Sequence, residues 1–107
     1  MGQNCTKIFY DLTWFQHNGT DQEACEFIRT NGLDTCYFDY QVPVLKVFLA
    51  REFNSTVTYI LNNHPRIFSA CDNSRKLDIF EEACVTYGFE HKFTQILLKR
   101  EPTLISI

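Results

Sequence analysis

Residues Leu77 to Leu104 read LDIFEEACVTYGFEHKFTQILLKREPTL, and this stretch decides the fold. Ile79, Phe80, Ala83 and Cys84 form one apolar stripe at i, i+1, i+4, i+5, and Phe93, Ile96 and Leu97 form a second at i, i+3, i+4. The run Thr86-Tyr87-Gly88-Phe89 separates them, and Gly88 can take a positive φ there without steric cost. The spacing therefore predicts two short helices joined by a tight turn and closed by Pro102. A hairpin of this kind cannot bury both stripes alone, so it needs neighbours of similar shape.

Working outward, the chain offers two. Ile8, Phe9, Leu12 and Phe15 share a helical face, and His17-Asn18-Gly19 breaks it. Thr20-Asp21-Gln22-Glu23 is a capping box that opens a helix carrying Ala24, Phe27 and Ile28 and stopping at Asn31-Gly32. Leu33 to Gln41 reads as a loop. Pro43 suits the first position of a helix whose stripe is Leu45, Phe48 and Leu49. Asn54 or Ser55 is the expected cap of the next, with Val57, Ile60 and Leu61, which ends at His64-Pro65 because the residue before proline avoids the helical region. Arg66 to Lys76 reads as a second loop.

The second helices carry matching triplets, Ala24/Phe27/Ile28, Val57/Ile60/Leu61 and Phe93/Ile96/Leu97, set 33 and then 36 residues apart. Each is followed by a helix stop, at Gly32, Pro65 and Pro102. A period near 33 built of helix, turn, helix and loop is the spacing of ankyrin repeats. The expected fold is all-α: about three stacked helical hairpins, at roughly 6–39, 40–74 and 75–107 of one domain, with a compact helical bundle as the alternative.

Ile79-Phe80-Glu81-Glu82-Ala83-Cys84-Val85-Thr86-Tyr87-Gly88, followed by Phe93, resembles a divergent ankyrin unit. It is similar to the N-terminal ankyrin region of insect transient receptor potential channels of the painless type. Lys7-Ile8-Phe9-Tyr10-Asp11 and Phe27-Ile28 ahead of Asn31-Gly32 echo the pattern. No unit has the T-P-L-H-x-A opening of the ankyrin consensus. The resemblance implies a rigid display surface that binds another protein.

Totals narrow the function classes. A chain of 107 residues with 45% apolar and 21% charged residues holds one modest core. Ten Phe raise the aromatic share to 15%, as suits a core of large rings or a surface that grips a partner. The net charge is −3 and no Lys/Arg cluster occurs, which argues against nucleic acid as a partner. The apolar run from Val42 to Ala50 contains Lys46 and is too short to span a bilayer. No secretory start is legible, so the chain is expected in the cytoplasm, its five cysteines reduced and packed as small apolar residues.

Chemistry-bearing motifs are scarce. No Gly-rich phosphate loop, H-E-x-x-H or G-x-S-x-G occurs. His17, His64 and His91 stand apart, and no close Cys/His pairs suggest a metal; Cys84 is expected to be buried and His91 solvated. Glu81 and Glu82 diverge on a helix and suit its negative-favouring start better than acid–base work. The expectation is a non-enzyme without cofactor or metal.

The expected partner-binding residues are Asp34, Tyr37, Asp39 and Tyr40 in the first loop and Asp72, Arg75 and Lys76 in the second. Leu104-Ile105-Ser106-Ile107 is apolar where a terminal repeat should be polar, which suggests self-association or further repeats in a longer protein. A second function reading rests on Met1-Gly2-Gln3-Asn4-Cys5-Thr6. It fits the pattern for myristoylation of Gly2, with Cys5 as a further acylation site, and implies a lipid-anchored peripheral adaptor that meets the membrane only when Gly2 is acylated.

Overall fold

A computed structural model describes residues 12–105. Among them are six α-helices, two 3-10 turns and no strand, so the fold is all-α. Residues 12–14 are helical and lead through a turn to α1 (Asp21–Asn31). Gly19 takes φ +80 in that turn, and a Cβ there would lie 2.7 Å from the Phe15 ring and 2.9 Å from Trp14. Both the backbone angle and the close approach demand glycine. The capping box forms as expected: Thr20 Oγ1 accepts the Glu23 N–H at 3.2 Å and Glu23 Oε1 accepts the Thr20 N–H at 2.9 Å. Gly32, at φ +84, ends α1 and donates its N–H to Ile28 O.

Next come α2 (Val44–Ala50) and α3 (Asn54–Asn63), joined by a three-residue turn. Pro43 sits at the cap of α2, one position before the expected one, with φ −63 suited to entry. Neither Asn54 nor Ser55 caps α3. Phe53 occupies that position without a side-chain bond, and the cap arrives from α1.

The segment from Arg66 to Lys76 is not one loop. It holds a single helical turn, α4 (Arg66–Ser69), and the start of α5 (Asn73–Tyr87), which begins four residues before Leu77. The reason is Asp72, whose carboxylate accepts the Arg75 N–H at 2.9 Å and so caps the helix there. Glu81 and Glu82 consequently lie inside the helix rather than at its start, and Glu82 accepts the Thr86 hydroxyl at 2.8 Å. Gly88 at φ +102 closes α5, and α6 (Lys92–Arg100) follows before the 3-10 turn at Pro102–Ile105. His91 is half-buried, and its Nδ1 caps α6 by accepting the Phe93 N–H.

The apolar stripes decide what packs on what. Besides pairing with its hairpin mate α3, α2 lies along α5; α1 lies along α3, and α5 pairs with α6. Ala24, Ile28, Val57, Ile60, Leu61, Phe93 and Leu97 are buried, while Phe27 and Ile96 pack half-buried at the core edge. Phe48 is fully enclosed, edge-on to Phe38 at 5.7 Å and stacked on Phe53 at 5.6 Å. Burying each side chain of this size contributes about 1.5–3 kcal/mol. Cys84 is only half-buried, because the stripe it borders ends at Ala83.

Candidate partner-binding surface

The segment between α1 and α2 folds back on itself as a finger. Tyr37 and Pro43 form an antiparallel bridge, Phe38 donates its N–H to Val42 O at 2.7 Å, and Val44 donates to Cys36 O at 3.0 Å. Buried Leu33 and Phe38 anchor its base. At its tip Tyr40 and Gln41 take φ 61 and φ 63, the left-handed region that side-chain-bearing residues enter at a cost of about 1–3 kcal/mol. Tyr40 is 97% exposed. The finger thus spends backbone strain to hold an aromatic ring in solvent.

Beside the tip runs an open groove of about 450 Å³ between α2 and α5, lined among others by Gln41, Pro43, Lys46, Arg75, Asp78 and Glu82. Its charges are of both signs. Arg51 at its edge is already engaged, donating to the carbonyls of Phe15 (3.0 Å), Asn18 (2.6 Å) and Gly19 (3.3 Å) while its guanidinium covers the Phe53 ring at 4.5 Å.

The expected binding residues divide. Tyr40 stands exposed at the tip, next in sequence to Gln41, which lines the groove together with Arg75. Tyr37 is half-buried; burial first, then nearby Cys71, pushes its pKa above the ordinary tyrosine value. Asp34 is exposed but lines a separate hollow with Cys36, His64 and Arg66. Asp72 caps α5 and pairs with Arg75 at 3.3 Å. Lys76 donates to Glu101 at 3.1 Å across α5 and the end of α6, with side chains 13% and 26% exposed, which makes it a tie within the fold. The carboxylate of Glu101, with Thr103 donating as well as Lys76, is held below the ordinary range. The side chain of Asp39 lies outside the described part, as do Gly2 and Cys5.

Sequence reading missed Gln41, Pro43 and Lys46. The available signal was Lys46, the one polar residue inside the apolar run from Val42 to Ala50. On another face of α5, Leu77 and Phe80 line a hollow with Glu81, Glu101, Leu104 and Ile105, and Ile105 is half-exposed. Among the described residues no three His, Cys, Asp or Glu side chains gather as a metal site, and no helix is long and apolar enough to cross a membrane. No family model, curated protein or solved structure shows a significant match to the chain.

Proposed function

We propose that this chain is an ankyrin-like stack of helical hairpins whose task is to bind another protein through the finger tip and the α2–α5 groove. The observation that carries the reading is Tyr40, exposed to solvent on left-handed backbone and held there by the Phe38–Val42 bond. A large ring with few rotatable bonds, carried on backbone already held in place, loses little entropy on binding. Supporting the stack, α2 meets α5 and α1 meets α3, first helix to first and second to second. Residues one period apart also reach forward alike: Asp21 bonds into the hairpin that follows it, and Asn54 Oδ1 accepts the Tyr87 hydroxyl at 2.6 Å.

The test is affinity capture from a lysate of the source cells, with the intact chain and two variants compared. Tyr40→Ala is expected to lose the captured protein at least tenfold, whereas Lys99→Ala, on the exposed side of α6, retains it. Equal capture by Tyr40→Ala and the unaltered chain rules the finger out.

A further inference from the structure

Two thiols from distant parts of the sequence converge on α4. Cys36, in the finger, donates to Arg66 O at 3.6 Å, and Cys71, just after α4, donates to Ile67 O at 3.4 Å. Arg66 and Ile67 are consecutive, so the two acceptor oxygens lie about 3.5 Å apart by helical geometry. The Cys36 side chain is also near enough to act electrostatically on the Cys71 thiol. Cys36 is half-buried and opens on the hollow it shares with Asp34 and His64, about 500 Å³ in size, while Cys71 is buried behind it. Cys25, by contrast, donates to Ser55 O of α3.

We propose that Cys36 and Cys71 are a redox pair that closes to a disulfide and staples the finger to the segment between α4 and α5. Oxidised glutathione, or another small disulfide entering the hollow, is the oxidant. The Cys36 thiolate attacks one sulfur of it and expels a glutathione thiolate, leaving a mixed disulfide on Cys36. The Cys71 thiolate then attacks the Cys36 sulfur and expels the second glutathione thiolate. One protein disulfide forms, one glutathione disulfide is reduced, and the two protons lost by the cysteines end on the two glutathione thiols. The order follows from access: burial, above all, pushes the Cys71 thiol up, so it reacts only once an electrophilic sulfur lies against it. Closure would tie down the loop that carries Tyr37 and Tyr40. The proposal stands on the anchorage of both thiols to consecutive α4 carbonyls and does not depend on the binding reading.

The experiment uses the full chain, folded and reduced, incubated with oxidised glutathione, alkylated and then cut with trypsin without reduction. Cys36 falls alone in residues 30–46 and Cys71 alone in residues 67–75. The expected product is these two peptides joined, two hydrogens lighter than their sum, with two titratable thiols lost and a higher urea midpoint. Cys36→Ser, at a half-exposed site, should fold, form no link and leave Cys71 reduced. A Cys25→Ser/Cys84→Ser chain should still form the link. Glutathione retained on Cys36 with Cys71 still reduced, linkage to any other cysteine, or no reaction at all overturns the proposal.

Discussion

The carboxylate of Asp21 reaches out of α1 to Thr56 and caps the start of α3. Its Oδ1 accepts the Thr56 N–H at 2.9 Å and the Thr56 hydroxyl at 2.7 Å, and its Oδ2 accepts the Ser55 N–H at 2.9 Å. Thr56 is fully buried, so its groups have no water to turn to. One side chain therefore both satisfies a helix end and fixes how two hairpins sit.

Replacing Asp21 by Ala should cost about 2 kcal/mol, since the α3 cap is lost and the buried Thr56 hydroxyl keeps only its second acceptor, the Asp21 carbonyl at 3.0 Å. Thr56→Val should cost about 1 kcal/mol. In urea unfolding the double variant should fall short of the sum by about 0.5–1 kcal/mol, because both changes delete the bond from the Thr56 hydroxyl to Asp21 Oδ1. Strict additivity would mean that the contact carries no weight.

Acid and alkali should act on two different groups. Partial burial works to raise Asp21, but the bonds from Ser55 and Thr56 outweigh it and hold the carboxyl below its ordinary 3.8. Its stabilisation is present above pH 3.8 and fades as pH falls through the lowered value, so Asp21→Asn should flatten that limb. Tyr87 is the reverse case. Burial first, then the charges of Glu52 and Asp21, push it up to about 12 from 10. Its stabilisation is whole below pH 10 and is lost as pH rises toward 12, and Tyr87→Phe should lack that loss. Thermal melts across both limbs provide the check.

Arg51 holds the turn before α1 by donating to three carbonyls at once. Arg51→Ala should cost about 2 kcal/mol, and amide exchange should quicken in residues 15–19. Arg51→Lys should rescue little, because a point ammonium cannot span acceptors that suit a planar fork. Full rescue by Lys would show that charge alone matters there.

Gly88 closes α5 at φ +102, and a Cβ added there would meet nothing within 4 Å. Gly88→Ala should still cost about 1–3 kcal/mol, purely from backbone strain. Gly19→Ala should exceed it, since its Cβ also collides with Phe15 and Trp14. Equal unfolding midpoints for the two variants would contradict this ranking.

Much of the helical plan was legible along the chain, because caps, stops and apolar stripes act over three or four residues. Thr20 with Glu23, Gly32, Gly88 and the stripes of α2, α3 and α6 lie where local reasoning puts them. The start of α5 lies ahead of its apolar stripe because Asp72 caps it, and that signal too is local.

The sequence by itself determined that this chain is helical and which faces are apolar, since those follow from residue type at helical spacing. Only the tertiary structure decided that Asp21 caps α3, that Lys76 is tied to Glu101, and that Cys36 and Cys71 settle on consecutive carbonyls of α4. Each joins residues 25 to 35 positions apart. Such partners are chosen by how whole helices pack on one another, and packing depends on shapes that no local spacing records.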